Sequence, residues 1–250
     1  MTAWTQFRIG AVLLSVGLFS ACTWLKKEVG PQPPAAGFML NSGDTIVFLG
    51  DSITQGASGP QGYVTLFNLF CSENGYEVKG INAGISGHKS NDMLKRLQKD
   101  VLDRHPAWVS VSCGVNDVWH GVKGVPLADY KKNMTEIVDR CTAAGAKVLL
   151  LTATPIMEDM NGPFNQKAVA YNDFLRQLAK KKRVVLCDLN RAFATAYATK
   201  KSKENLLTTD GVHMKPSGYR LWATETLKAL GATPAELARA EKRWDLQGKK

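Results

Sequence analysis

Hydrophobic residues in this chain follow two alternating rhythms. Five short runs, at 45–49, 77–81, 108–112, 147–152 and 184–189, have strand length and a share of apolar, β-branched residues. Runs of that length and makeup read as strands. Between them, apolar residues recur at intervals of three and four, the spacing of one helix face. Tyr63, Leu66, Phe67 and Phe70 form such a stripe within 62–74. Met93, Leu94, Leu97, Val101 and Leu102 form another within 91–104, with Ser90 placed to cap it. Segments 127–144 and 167–181 repeat the pattern. Strand alternating with helix predicts an α/β fold, a parallel five-stranded sheet covered by helices on both faces in three layers.

The chain then continues through 192–199 and a polar loop into "TTDGVHMKPSGYRLW". Pro216 suits the first turn of a helix that runs to about residue 230. Thr233, Pro234 and Glu236 have the arrangement of a cap, a first-turn proline and a capping-box acid.

The first residues break from this scheme. Arg8 precedes an uncharged apolar run from residue 9 to 19, and Ser20 and Ala21 precede Cys22. The run is short for a bilayer span and suits a secretory signal peptide over residues 1–21. The small pair before a cysteine resembles a bacterial lipoprotein processing site, at which Cys22 is lipidated. Phe19 departs from the aliphatic residue usual there, and simple secretion with cleavage nearby is the alternative. Residues 22–43 are rich in Pro and Gly and read as a tether, leaving 44–250 as the folded domain. The expectation is an exported protein of the periplasm or cell envelope, anchored to the membrane through Cys22.

Charge and cysteine usage narrow the classes further. The 250 residues include 32 Lys and Arg against 22 Asp and Glu, a formal charge of +10. Such a balance can mark nucleic-acid or anionic partners. Here the lysines are scattered, and the densest cluster, at 180–183, closes a predicted helix, where cations complement the dipole. No nucleic-acid motif accompanies the charge, so no nucleic-acid partner is expected. Cys71, Cys113, Cys141 and Cys187 lack the spacing of a metal or redox site. They read as buried thiols, with disulfide pairing left open. His88, His105, His120 and His213 show no metal-ligand spacing either, and neither a metal nor a cofactor is expected.

In a sheet of this type ligands bind beyond the carboxyl ends of the strands. The first strand ends in "GDSIT" with Ser52, the second in "NAGISGH" with Gly84, and the third in "CGVNDVWHG" with Asn116. Beyond the fifth comes "DGVH", with Asp210 and His213. Together these residue types are what acyl transfer by a serine nucleophile needs. Serine is a poor nucleophile until a base takes its proton, and a neutral imidazole does so near neutral pH. An aspartate holds that imidazole in one tautomer, and a spacing of three lets one turn join Asp210 to His213. A glycine backbone, an asparagine amide and the Ser52 amide can face the oxygen anion of the tetrahedral intermediate. Taken singly, Ser52 suits a helix cap, Gly84 and Asn116 suit turns, and "DGVH" suits a turn entering a helix. Their joint occurrence at four strand ends favours catalysis.

In this order, "GDSIT", "NAGISG", "GVND" and "DGVH" resemble the four blocks of the SGNH (GDSL) hydrolase family, over most of the chain from Gly50 to His213. The resemblance implies a flavodoxin-like α/β/α sandwich and a cofactor-free serine esterase. It implies Ser52 as nucleophile, His213 as base and later acid, and Asp210 as the group that orients His213. Gly84 and Asn116 would join the Ser52 amide in the oxyanion hole. His88, Trp119 and His120 follow these blocks and are candidates for the substrate pocket, while Asp51 and Asp117 read as loop braces. The expected activity is acetyl-ester hydrolysis on a small-molecule or carbohydrate substrate. A lysophospholipase, thioesterase or acyltransferase on the same fold is the alternative within the class. A carbohydrate-binding protein without activity is the alternative outside it.

Overall fold

The five strands pair as one all-parallel sheet in the computed structural model, which describes residue 1 and residues 37–199 and 206–247. β1 (Thr45–Gly50), β2 (Lys79–Gly84), β3 (Trp108–Ser112), β4 (Lys147–Leu151) and β5 (Val185–Cys187) lie in the order β2-β1-β3-β4-β5. After β1 the chain first adds β2 on one side, then crosses over to place β3 on the other. That reversal opens a crevice beyond the carboxyl end of β1, which is where Ser52 stands. β3 is buried throughout and β1 at every position but its first, as strands covered on both faces must be.

The helices are α1 (Ser52–Gly56), α2 (Tyr63–Glu73), α3 (Ser90–Asp100), α4 (Val115–Trp119), α5 (Leu127–Ala143), α6 (Pro163–Lys182), α7 (Leu189–Tyr197), α8 (Pro216–Ala229) and α9 (Pro234–Gln247). α2 packs on α8 and α9, and α5 packs on α3 and α6, giving the two outer layers. The stripe predicted for 91–104 is split: α3 stops at Asp100, and a 3-10 turn over Leu102–Arg104 ends on left-handed His105. Ser90 opens α3 from inside rather than capping it. The cap position is Lys89, whose N–H donates to Asp92 at 3.1 Å. The predicted capping box at α9 forms, with Thr233 N–H donating to Glu236 at 2.7 Å and Glu236 N–H donating back at 3.3 Å.

Two aromatic residues tie α8 to the site-bearing α1. Trp222 stacks on Tyr63 at 4.9 Å and 16°, a contact of about 0.5–1.5 kcal/mol beyond burial. Tyr63 in turn donates its hydroxyl to Thr54 at 3.0 Å, and Tyr219 donates to the Ile53 carbonyl at 3.0 Å.

The signal segment, Cys22 and most of the expected tether lie outside the described residues. The tether boundary at residue 43 does shift. Phe38 packs on Phe70 at 5.2 Å and on Tyr76 at 4.7 Å, Leu40 is buried, and Met39 N–H donates to the Leu230 carbonyl. Three consecutive apolar side chains are cheaper against α2 and α8 than in water, so the packed chain begins by Phe38. Cys71, Cys113, Cys141 and Cys187 are all free and buried.

Candidate active site

Gly50, at the end of β1, admits no side chain, because a Cβ there would lie 1.9 Å from Thr54 Oγ1. The tight turn that follows settles which residue caps α1. Asp51 does so, its Oδ1 accepting from Ile53 N–H at 3.0 Å. Ser52 is thereby left with its hydroxyl free at the first helical position, half-buried. Its N–H makes no hydrogen bond among the described residues, as expected of a first-turn amide.

His213, 161 positions further along, reaches it directly. His213 Nε2 lies 2.9 Å from Ser52 Oγ, and His213 Nδ1 lies 2.6 Å from Asp210 Oδ2. Asp210 builds its own turn: Oδ1 accepts from the Val212 and His213 N–H groups at 3.0 and 2.8 Å. Partial burial raises the Asp210 pKa, but the His213 ring and these two amides outweigh it and hold the carboxyl down to about 2. An ionised Asp210 can only accept, so the proton on Nδ1 belongs to His213 and Nε2 faces Ser52 with a lone pair when the ring is neutral.

Gly84 does something other than expected. Its N–H donates to Asn82 Oδ1 at 2.8 Å, and a Cβ on it would meet Gln55 N at 2.2 Å. Gly84 therefore lets β2 approach α1 closely, and its amide is already engaged. Three residues on, Gly87 has φ +76, nothing within 4 Å of where a Cβ would stand, and an N–H without an acceptor among the described residues. Its neighbours fix the loop: Ser86 N–H donates to Gln55 Oε1 at 2.8 Å, and the His88 carbonyl accepts from Asn116 Nδ2 at 3.0 Å. The signal for Gly87 in the sequence is the second glycine of "NAGISG".

Asn116 sits in α4, 5% exposed, and its amide is held from both ends. Nδ2 faces the His88 carbonyl, while Oδ1 lies 3.1 Å from His120 Nε2. An amide oxygen only accepts, so His120 carries a proton on Nε2. His88 has the reverse constraint. Its Nδ1 lies 3.0 Å from Arg96 Nε, which only donates, so Nδ1 is the acceptor and the His88 proton is on Nε2. Burial, then the Arg96 charge, lowers the His88 pKa and keeps the ring neutral. Trp119 is half-buried against the core, its ring 5.8 Å from that of His120.

Arg96 carries no signal as a site residue in the sequence, yet it ties two strand ends together. It donates to the Gly50 carbonyl at 2.9 Å, the Ala83 carbonyl at 2.8 Å and Asp100 at 3.1 Å. Behind it lie the two acids expected to brace loops. Asp117 accepts from Ser90 N–H at 3.0 Å and from the Cys113 thiol at 3.4 Å, joining α3 to the turn after β3. Burial, with Asp117 adding to it, pushes the Cys113 thiol well up, so it remains a donor. Asp51 is 3% exposed. Burial raises its pKa from 3.8 to about 6, against the Ile53 amide and with help from Asp117.

That shift makes a prediction about stability. The folded chain holds the Asp51 proton more tightly than the unfolded chain, so no penalty exists below about pH 4. The penalty grows between pH 4 and 6 and is fully present above, at about 3 kcal/mol. Asp51→Asn keeps an oxygen for Ile53 and removes the ionisation. It should raise the melting temperature at pH 8 relative to wild type, with a smaller difference at pH 4.

Residues 48–221 match the GDSL-like lipase/acylhydrolase family model. An acetylxylan esterase of Geobacillus stearothermophilus is 27% identical over 214 residues, covering 77% of this chain and 96% of that one. Solved structures of Axe2, an acetylxylan esterase from the same organism, include two catalytic variants, at one serine and one histidine, that superpose with a TM-score of 0.71 at 25% and 26% identity, covering 78% of this chain and 97% of that one. A Bacillus subtilis lipoprotein, YqeF, is 29% identical, covering 71% of this chain and 86% of its own. The crystal structure of the acetyl xylan esterase AlAXEase superposes with a TM-score of 0.71 at 30% identity, covering 74% of this chain and 98% of that one.

Proposed function

Because the chain belongs to the GDSL-like lipase/acylhydrolase family and is an ester hydrolase of that kind, we propose that it removes acetyl groups from carbohydrate, with Ser52 as nucleophile. What supports the reading most is the unbroken path from Asp210 through His213 to Ser52, at 2.6 and 2.9 Å. Ser52 Oγ attacks the acyl carbonyl as His213 Nε2 takes its proton. Asp210 steadies the imidazolium that results. The oxygen anion is met by the N–H groups of Ser52 and Gly87, both without acceptors among the described residues, and by the second hydrogen on Asn116 Nδ2. Gly87 thus takes the place expected of Gly84. Each such donor contributes on the order of 3 kcal/mol to the transition state. His213 then protonates the departing sugar oxygen, and the same base activates water to free acetate from the acyl-enzyme.

Carbohydrate fits the polar rim. His88 presents a donor at Nε2, and His120 in its neutral form presents an acceptor at Nδ1, a pairing that suits hydroxyl groups. The acetylxylan esterase relative supports the same substrate class. Export with lipidation at Cys22 is part of the proposal, supported by the apolar run before it and by the lipoprotein relative. The test is a chain-length series of nitrophenyl esters together with acetylated xylo-oligosaccharides. Turnover should be highest with acetyl and fall steadily with length, and acetate should be released from the oligosaccharides. A maximum at long acyl chains, or no acetate from the sugar, overturns the substrate reading.

A further inference from the structure

Glu158 lies in the loop after β4 and is only 6% exposed. Its carboxylate accepts four hydrogen bonds from one short segment. Leu206 N–H donates at 2.6 Å, Leu207 N–H at 2.8 Å, and the Thr208 N–H and hydroxyl at 2.8 and 2.7 Å. That segment leads into Asp210 and His213. Glu158 and Met157 both hold left-handed backbone, at φ 49 and 60. Such a pair persists only where its surroundings over-determine it, and strain of this kind gathers at functional sites.

The surroundings here are the His213 loop itself. Met157 N–H donates to the Gly211 carbonyl at 2.7 Å, and Gly211, at φ +91, packs so closely that a Cβ would lie 2.9 Å from Met157 Cα. Thr208 Oγ1 donates to Glu158 and accepts from Gly211 N–H at 3.1 Å. Thr209 N–H donates to the His213 carbonyl at 2.8 Å, and Thr208 bridges Met214 in antiparallel fashion. Hydrogen bonds therefore run from Glu158 through Thr208 to the residue that follows Asp210.

We propose that Glu158 is a positioning residue, fixing residues 206–208 so that the Asp210–His213 pair is delivered to Ser52. The inference rests on the reading of Ser52 and His213 given above. A carboxylate suits the task because, ionised, it only accepts, and each of these four groups donates. A glutamine in its place turns an NH2 toward at least one of those N–H groups, and the segment must shift.

The test compares Glu158→Gln in the native and His213→Ala backgrounds, on nitrophenyl acetate, with melting curves for each. In the native background kcat should fall about 10- to 100-fold, with KM within about twofold. In the His213→Ala background the same change should alter the residual rate by less than about twofold, because the group being positioned is gone. A fall by the same factor in both backgrounds marks a purely structural role and overturns the proposal. So does a folded Glu158→Gln protein whose kcat stays within about twofold of wild type. Should Glu158→Gln fail to fold, Thr208→Val breaks the link to Gly211 and is read in the same two backgrounds by the same criteria. Ser52→Ala is run alongside. If it keeps full turnover, the nucleophile reading falls and takes this inference with it, whereas equal losses in both backgrounds remove only the role of Glu158.

Discussion

Ser52→Ala should lose ester turnover by about 10⁴-fold or more in kcat while melting at the temperature of the wild-type protein. Both halves of this expectation come from the turn after β1. The hydroxyl 2.9 Å from His213 Nε2 is the group removed, and no other hydroxyl among the described residues bonds to that nitrogen. The fold should be indifferent, because the cap of α1 is the Asp51 carboxylate on Ile53 N–H and not the serine. Alanine is also the better helix former at a first-turn position. The variant should no longer react with a serine-directed phosphonate. Full activity in a folded Ser52→Ala protein sinks the site assignment, and a lowered melting temperature sinks the account of the cap.

The same turn shows where sequence reading succeeds and where it stops. The five strands and the long helices are written in patterns many residues long, whose burial energy accumulates over several turns. α1 and α4 are five residues each and have no room for a period. What sets them is the turn chemistry of Gly50, Asp51 and Gly114, and Gly114 has φ 135. The Ser90 cap fails for a different reason. A serine beside a helix start caps it only if its hydroxyl oxygen accepts from a first-turn N–H, and here Ser90 Oγ accepts from Asn133 Nδ2 at 3.1 Å while its own N–H donates to buried Asp117 at 3.0 Å. Gly84 and Gly87 differ only in three-dimensional terms: one faces the backbone of α1, the other faces open space with its N–H free of any acceptor among the described residues. Spacing along the chain cannot separate them. Arg96 and Glu158 are invisible in the sequence for a related reason. A charged residue in a helix or loop reads as solvated surface until its partners, distant in sequence, are known. The residues proposed as the triad are legible because their chemistry is rare at strand ends, whereas their supports are ordinary residue types in unusual company.

Asp210→Asn should lower kcat by about 10⁴-fold at neutral pH with little change in fold. The substitution is close to isosteric, and the two oxygens of Asp210 do separate jobs. Oδ1 accepts the Val212 and His213 N–H groups, and an amide oxygen can go on accepting both. That fixes the amide nitrogen at the place of Oδ2, 2.6 Å from His213 Nδ1. Two donors cannot face one another, so the imidazole must present a lone pair at Nδ1 and carry its proton on Nε2. It would then donate to Ser52 instead of taking its proton, and the base is lost although every heavy atom remains near its place. The wild-type carboxyl, held at about 2, remains ionised as pH falls to that range, so its contribution is fully present above about pH 4 and is lost only as pH drops through 2. Asp210 itself accordingly adds no pH dependence to the wild-type rate between pH 6 and pH 8. A kcat within tenfold of wild type, with melting unchanged, overturns the orienting role of Asp210, because the amide could then serve only if the tautomer of His213 were immaterial.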